Sequence, residues 1–327
     1  MDSKTYLENI TQALEKAVQI SGSHTEGLVA DYIPELKKVD AEYVAGAVRL
    51  QDGEFISAGD SKTAKFTLQS VSKLVLLIGL MEEFGSKKVF SWINAEPSGH
   101  SFAAIGYLDK YGAVPSNPLI NAGAIVLSGR IPGNATEQLE WVKGWTHKLF
   151  NAALPFNEEV FNSELISADR NRSLAYLMKS TGVLVKSVEE VLVPYCALCS
   201  YDVNIEQATY LPMLLANGGL TPDGKRIFSE GTSNQVVSIM ATCGLYDESG
   251  MHLVKTGLPA KSSVSGLIIA VATGRGGIAV LSPRLNEKGN SVRGNIILNE
   301  LSSTLGWHFA APWVYARADS KLHLDCR

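Results

Sequence analysis

The stretch Phe66-Thr67-Leu68-Gln69-Ser70-Val71-Ser72-Lys73 leads directly into an apolar block, residues 74–81. A short strand-like segment therefore feeds a helix that is apolar nearly all round, as expected for a helix buried on every side. Residues three apart share one face of a helix, so the Ser70 hydroxyl and the Lys73 amine can come within hydrogen-bonding distance. This spacing indicates a serine nucleophile with a lysine base.

Lys73 begins a helix that we expect to be buried, which makes its charge costly. Desolvation disfavours the ammonium and lowers a lysine pKa by up to ~3–5 units. A lysine with such a pKa can act as a general base at neutral pH. Ser70 lies at the first turn, where free backbone amides can stabilise an oxyanion. The alternative is ordinary, because a serine at a helix start commonly serves as an N-cap.

The composition is that of a globular protein that binds a small molecule. With 327 residues, 46% of them hydrophobic, the chain can bury a large core. A net charge of −4 without a long basic run argues against nucleic acid and membranes as partners. Four cysteines do not suggest a disulfide framework. The polar start Met1-Asp2-Ser3-Lys4 lacks a signal-peptide pattern. We therefore expect a cytoplasmic protein.

Strand patterns occur near both ends of the chain. Segments 43–50 and 54–57 flank the turn Asp52-Gly53 and predict an antiparallel hairpin, with 65–68 as a third strand. Segments 264–272 and 278–281 predict two more strands. Two terminal helices are also expected, since apolar residues recur at helical spacing in 6–20 and 296–305.

The middle of the chain has helical texture, with segments joined by loops rich in Pro, Gly and Asn. The predicted fold class is α+β, with an antiparallel sheet built from both termini, flanking helices and a helical subdomain. We expect a sheet subdomain from 1–80 with 241–327, a helical subdomain from 81–240, and an active site between them. The helices predicted in this middle region are 139–150, 169–181, 188–192 and 204–217.

Four segments together resemble the serine-dependent glutaminase family. The resemblance covers nearly the whole chain and implies the fold of serine β-lactamases and transpeptidases, with hydrolysis of free L-glutamine to L-glutamate and ammonia. The block 117–124, Asn-Pro-Leu-Ile-Asn-Ala-Gly-Ala, is long and specific, and no Ser-Asp-Asn element of penicillin-recognising enzymes is present. The segments are 66–73, 117–125, Asn217-Gly218-Gly219 and Pro259-Ala260-Lys261-Ser262.

Two segments compete for the third motif of this fold. Lys255-Thr256-Gly257 is a literal match to the β-lactamase motif. We assign the role to Lys261-Ser262-Ser263 instead, because it directly precedes the strand expected from Val264 and lies in a glutaminase-like context. The family usually has glycine at the position of Ser263, so the backbone there is expected to approach a ligand differently.

The resemblance also implies roles for individual residues. Ser70 would be the nucleophile, Lys73 its base and Tyr246 a proton shuttle, with either Lys73 or Tyr246 protonating the departing ammonia. The backbone amides of Ser70 and Val264 would form an oxyanion hole. The residues implied to bind substrate are Tyr32, Ser70, Asn121, Glu164, Asn171, Tyr195, Tyr246, Lys261 and Val264.

Each implied role has an ordinary alternative. Buried tyrosines such as Tyr32, Tyr195 and Tyr246 commonly serve packing. Asn121 could satisfy a loop, and Glu164 could lie on a solvated face. The rival functions are another acyl-serine hydrolase, either an esterase or a β-lactamase-like enzyme, and a non-catalytic module that binds glutamine or glutamate.

Cys196 and Cys199 form a CxxC pattern, which elsewhere marks redox or zinc sites. No second ligand pair has suitable spacing, because Cys243 and Cys326 stand alone and the six histidines do not cluster. We therefore interpret both cysteines as packing residues and expect neither metal nor cofactor. The family resemblance implies a homo-oligomer, either a dimer or a tetramer.

Overall fold

Strands from both ends of the chain form one antiparallel sheet. The computed structural model describes residues 3–60, 65–99, 105, 106, 108 and 112–311. In the described residues the main sheet has five strands in the order β2-β1-β7-β6-β5. Its strands are β1 (Ala45–Leu50), β2 (Phe55–Gly59), β5 (Ala260–Ser262), β6 (Leu267–Ala272) and β7 (Gly276–Leu281). The predicted assembly of one sheet from two distant parts of the chain is therefore confirmed.

The prediction that 65–68 forms the third strand of this sheet is wrong. The strand β3 (Phe66–Thr67) pairs instead with β4 (Asp202–Val203) in a separate two-stranded sheet. Because β3 runs straight into the buried turn Gln69–Ser72, its partner is the segment packed beside that turn. The Leu68 N–H accordingly donates to the Tyr201 carbonyl at 2.9 Å.

The prediction of a strand starting at Val264 is also wrong. The strand β6 begins at Leu267, and residues 263–266 form a tight turn in which the Gly266 N–H donates to the Ser263 carbonyl at 3.1 Å. Gly266 has a φ of +90°, which favours glycine. Lys261 therefore lies on a strand of its own, β5, opposite Ile269 of β6.

Helices cover both faces of the sheet. One face packs against the two terminal helices, whose apolar residues join a cluster with alternate residues of β1, β6 and β7. The other face joins the large core of the helical middle. The terminal helices are α1 (Ser3–Gly22) and α14 (Val292–Leu305), and a short helix α2 (Pro34–Lys37) follows α1.

The middle of the chain is helical, as predicted. The 188–192 helix is longer than expected and runs through Pro194, whereas the 204–217 helix is divided at Thr209. The helices between β3 and β5 are α3 (Lys73–Phe84), α4 (Ser86–Val89), α5 (Asn121–Ser128), α6 (Ala135–Phe150), α7 (Glu158–Ile166), α8 (Asp169–Ser180), α9 (Val188–Cys199), α10 (Ile205–Ala208), α11 (Tyr210–Ala216), α12 (Glu230–Cys243) and α13 (Ser249–Thr256).

The helix α3 is the centre of the larger core. Its first nine residues, 73–81, are all buried, so the prediction of a helix packed on every side is confirmed. Ser70 does not lie within this helix but in the 3-10 turn Gln69–Ser72 that leads into it. The turn and α3 together hold Ser70 and Lys73 in buried positions at the start of this core helix.

The described helices include none that is both long enough and apolar enough to cross a membrane. The subdomain boundaries, 1–80 with 241–327 and 81–240, stay a prediction. Cys326 lies outside the described residues.

Candidate active site

Ser70 and Lys73 are in direct contact. Lys73 Nζ lies 2.8 Å from Ser70 Oγ, and the two residues are only 9% and 2% exposed. The 3-10 turn Gln69–Ser72 brings them together because it runs directly into α3, and Ser72 and Lys73 both have helical φ and ψ. A charged lysine donates across this distance, whereas a neutral lysine can accept the serine proton.

Burial lowers the pKa of Lys73, so that its neutral amine is present near neutral pH. Removal from water lowers the pKa of Lys73 to about 8, against smaller raising contributions from Cys199 and Glu164. Roughly half of the Lys73 side chains are therefore neutral at pH 8, and about one tenth at pH 7. An amine in this state and at this distance can take a proton from a hydroxyl.

Two asparagines extend the contact from Lys73. Asn121, the first residue of α5, accepts a hydrogen bond from Lys73 Nζ through Oδ1 at 2.9 Å. Its Nδ2 donates to Asn171 Oδ1 on α8 at 3.0 Å. Because the Asn121 oxygen is occupied by lysine, the amide orientation is fixed and the lysine amine is held on the serine side.

Tyr246 also interacts with the Ser70 side chain. It begins a 3-10 turn, Tyr246–Glu248, and has a φ of +55°, which a bulky residue adopts only under constraint. Its hydroxyl lies 3.5 Å from the Ser262 carbonyl. Burial raises the Tyr246 pKa to about 12, and a hydrogen bond with the Ser70 side chain opposes that shift. The phenol therefore keeps its proton at neutral pH and is available as a donor.

Lys261 lies beneath Tyr246. Its Nζ is 4.7 Å from the centre of the Tyr246 ring and donates to the Gly244 carbonyl at 3.2 Å and to the Ser262 carbonyl. The side chain is fully buried. Burial and the positive charge of Lys73 hold the pKa of Lys261 well below its usual range. Lys261 thus fixes the backbone around Tyr246 rather than facing an acidic partner.

A second cluster contains Tyr32, Gln69 and Glu164. The Tyr32 hydroxyl donates to Glu164 Oε1 at 2.7 Å and lies 3.2 Å from Gln69 Oε1. Burial raises the pKa of Glu164, although hydrogen bonds from Tyr32 and Gln69 oppose the shift. A buried carboxylate without a basic side chain bonded to it gains most from a cationic ligand.

Gln69 was missed by the sequence analysis. It is 3% exposed, has a φ of +45°, and directly precedes Ser70. A left-handed backbone at a residue other than glycine commonly marks a functional site. The only signal in the sequence is its position next to the proposed nucleophile.

Tyr195 and Val264 complete the set of predicted residues. Tyr195 lies on α9, and its ring centre is 6.0 Å from Lys73 Nζ. Burial raises the pKa of Tyr195 well above its usual value. Val264 lies in the turn between β5 and β6, and β5 packs against the turn that carries Ser70. The structure thus brings Ser70, Lys73, Asn121 and Asn171 into one hydrogen-bonded chain, and Tyr195 lies next to Lys73.

The described residues contain no group of three or more His, Cys, Asp or Glu side chains that could hold a metal ion. Cys196, Cys199 and Cys243 are free thiols and buried. Burial raises the pKa of Cys199 to about 12, so this thiol is protonated at neutral pH. Cys196 and Cys199 both lie on α9, near its C-terminal end.

Comparison with known proteins identifies the family. The glutaminase family model matches residues 27–309. A glutaminase from Legionella pneumophila subsp. pneumophila is 51% identical over 302 residues, which are 92% of this chain and 97% of the relative. A glutaminase from Clostridium tetani is 44% identical over 86% of this chain and 92% of the relative.

Solved structures agree with this result. The probable glutaminase ybaS superimposes with a TM-score of 0.91 at 33% identity, covering 95% of this chain and all of that one. A probable glutaminase from Bacillus subtilis, complexed with 6-diazo-5-oxo-L-norleucine, has a TM-score of 0.81 at 30% identity, covering 94% and 98%. The predicted serine β-lactamase-like fold is thus confirmed. The chain belongs to the glutaminase family.

Proposed function

We propose that this chain hydrolyses free L-glutamine to L-glutamate and ammonia through a γ-glutamyl ester on Ser70. The observation that carries the proposal is the 2.8 Å contact between Ser70 Oγ and the buried amine of Lys73. A hydroxyl becomes a useful nucleophile only when a base takes its proton. The lowered Lys73 pKa of about 8 makes the neutral amine available for that transfer.

The first step forms the acyl-enzyme. Lys73 takes the Ser70 proton while Ser70 Oγ attacks the side-chain amide carbon of glutamine, and the amide oxygen becomes an oxyanion. The backbone N–H groups of Ser70 and Val264 stabilise this charge. The C–N bond then breaks as the nitrogen receives a proton. Ammonia departs, and the γ-glutamyl group remains as an ester on Ser70.

Two groups are candidates for protonating the departing nitrogen. Lys73 carries the proton taken from serine, and the Tyr246 phenol hydrogen-bonds with the same Ser70 oxygen. With a pKa of about 12, Tyr246 acts as a donor that must be reprotonated, whereas protonated Lys73 is the stronger acid. We propose that Tyr246 relays the lysine proton. Water then hydrolyses the ester by the reverse sequence.

The amino-acid head group of glutamine binds at the second cluster. The α-ammonium pairs with the Glu164 carboxylate, which is 7% exposed. Amide groups of Asn121 and Asn171 suit the α-carboxylate. Tyr32 and Tyr195 cover the head group from the sides. A site built around these charges rejects glutamine within a peptide, because buried partners are then left unpaired.

The structure complexed with 6-diazo-5-oxo-L-norleucine fits this proposal. That compound is a free amino acid with a reactive group at the far end of its side chain. It joins the two requirements of the site, which are a zwitterionic head group and an electrophilic carbon near a nucleophile. Both requirements are met by free glutamine.

The test measures ammonia and glutamate released from free L-glutamine by the purified protein, with L-asparagine as the control substrate. We expect equal amounts of the two products from glutamine, and far slower turnover of asparagine because its amide carbon falls one methylene short of Ser70. Hydroxylamine added to the reaction should divert the acyl group into γ-glutamyl hydroxamate. Hydrolysis of a simple ester or a cephalosporin without glutamine turnover would favour another acyl-serine hydrolase.

The same assay distinguishes the proposed enzyme from a non-catalytic module that only binds glutamine or glutamate. Tight binding of L-glutamate by calorimetry, together with no ammonia release from the intact chain, would favour that alternative. A cytoplasmic location and a homo-oligomer, either a dimer or a tetramer, also stay proposals. Sedimentation velocity at several protein concentrations checks the oligomeric state.

Substitution of Glu164 by glutamine is expected to weaken substrate binding. The change keeps the size of the side chain but removes the negative charge that pairs with the α-ammonium. Because hydrogen bonds to charged groups contribute about 1.5–3 kcal/mol, KM should rise roughly 10- to 100-fold. Steady-state kinetics provides the measurement.

The Glu159→Gln variant is the matched control, since Glu159 is exposed on the same helix. Its KM should equal that of the wild type. An unchanged KM in Glu164→Gln, with normal thermal stability, would contradict the assignment of Glu164 to the head group.

A further inference from the structure

The turn between β5 and β6 contains two buried serines that the proposed mechanism does not use. Ser263 and Ser265 are 0% and 2% exposed, and their hydroxyl oxygens lie 2.7 Å apart. Their hydrogen bond bridges the residue between them, Val264. We infer that this hydroxyl pair positions the Val264 N–H as an oxyanion donor, an inference that rests on the proposed function.

The backbone of the turn fixes the direction of that N–H. The Ser263 carbonyl accepts a hydrogen bond from the Gly266 N–H at 3.1 Å, which closes a four-residue β-turn with Val264 and Ser265 at its centre. Carbonyl and N–H point to opposite sides of a trans peptide, and the chain has no cis peptide in its described part. Because the Ser263 carbonyl points into the turn, the Val264 N–H points out of it.

The turn is held in place from two sides. The Val264 side chain packs against the small apolar cluster of Ile33, Leu36 and Val160. A side chain at Gly266 would meet the Ser282 carbonyl, since a Cβ there would lie 2.3 Å from that oxygen. These contacts set the position of the turn as a whole. The hydrogen bond between the Ser263 and Ser265 hydroxyls adds a further restraint across Val264 to that of the backbone hydrogen bond.

Ser263 stands where the family resemblance leads one to expect glycine. Glycine would give this backbone more freedom than any other residue. A serine restricts φ and ψ, and its hydroxyl adds a cross-link to Ser265 over Val264. The pair therefore supplies rigidity where an oxyanion hole needs preorganised donors.

The test uses Ser263→Ala, Ser265→Ala and the double variant in the glutaminase assay. Each single change should lower kcat roughly 10-fold, less than the 10²–10³ lost when an oxyanion donor is removed outright. KM should stay within about twofold, because a donor to the transition state contributes little to substrate binding. The double variant should be no slower than the singles, since either change removes the same bond.

The control is Ser233→Ala. Ser233 is 1% exposed and its hydroxyl donates to the Leu215 carbonyl at 2.8 Å, far from the turn in sequence and on α12. The Ser233→Ala variant loses a buried hydroxyl, as the two turn variants do, so its thermal stability should fall by a similar amount. Its kcat should equal the wild-type value.

The dependence of kcat/KM on pH separates a positioning role from general damage to the site. The acid limb set by Lys73 should keep its pKa in both turn variants, because the serine pair does not contact that amine. Wild-type kcat in the single variants, or losses that multiply in the double, would overturn the inference. A Ser263→Ala chain that fails to fold leaves Ser265→Ala to decide it. Turnover that survives Ser70→Ala would instead defeat the proposed function itself.

Discussion

Ser70→Ala is expected to lower kcat for glutamine on the order of 10⁴-fold or more, as removal of a nucleophile does in other acyl-serine enzymes. The variant keeps Lys73 and its contact with Asn121 but has no oxygen to carry the acyl group. Water would have to attack the amide directly, without the ester that divides one difficult step into two easier ones. Ammonia release at saturating glutamine provides the measurement.

The variant should stay folded and should still bind ligand. The substitution removes one hydroxyl from a 9% exposed position, and the head-group cluster around Glu164 is untouched. Calorimetry with L-glutamate should therefore give an affinity close to that of the wild type.

Ser128→Ala is the matched control for Ser70→Ala, because its buried hydroxyl donates to the Val191 carbonyl at 2.8 Å outside the site. The Ser128→Ala variant should have the wild-type kcat for glutamine. Substantial turnover by Ser70→Ala would mean that Lys73 activates water rather than serine.

Features with local sequence signals were predicted correctly. The apolar run of α3 and the spacing of Ser70 and Lys73 depend on neighbouring residues, so periodicity predicts them directly. The hairpin of β1 and β2 follows from Asp52-Gly53 between two strand-forming runs, and the structure pairs the two strands antiparallel, with Val48 opposite Ile56. The distant β7 could be assigned to the same sheet because its strand signal is also strong.

Features that depend on distant contacts were not predicted. The strand β3 looked like a sheet strand, but its partner β4 lies in the helical middle, and nothing in a two-residue run specifies a partner. Val264 is β-branched and precedes an apolar run, so it was assigned to β6. The φ of Gly266 closes a turn there instead. Such backbone choices are decided by tertiary contacts that sequence periodicity does not contain.

The residues of the candidate site also divide into those that local sequence predicts and those that it does not. Only Ser70 and Lys73 have a spacing that carries chemistry by itself. The roles of Glu164 and Asn171 are predicted only by the family resemblance. Their own sequence pattern does not indicate a site, since an acidic residue on a helix usually faces solvent. Gln69 could be identified only from the structure, because no sequence pattern predicts its positive φ or its contact with Tyr32.

Lys73→Met is expected to lower kcat by a factor on the order of 10⁴ or more, because methionine fills the same buried space but cannot accept a proton. Lys73→Arg should be equally inactive, since a guanidinium stays protonated at any working pH. Lys186→Met should be fully active, as its amine donates to the Ile131 carbonyl away from the site. An active arginine variant would show that the positive charge, not the base, is what the reaction needs.

The pH dependence of the wild type tests the same assignment without a mutation. The reactive form is the neutral amine, and burial lowers the Lys73 pKa to about 8. The neutral fraction therefore rises with pH, reaches one half near pH 8 and falls about tenfold for each unit below it. We expect kcat/KM, which reports the pKa values of the free enzyme, to be roughly 100-fold lower at pH 6 than at its plateau. Because the Tyr246 pKa is about 12, that phenol keeps its proton across the whole range and adds no limb between pH 6 and 8. A kcat/KM that is flat from pH 6 to 8 would remove Lys73 as the general base, whatever the variants show.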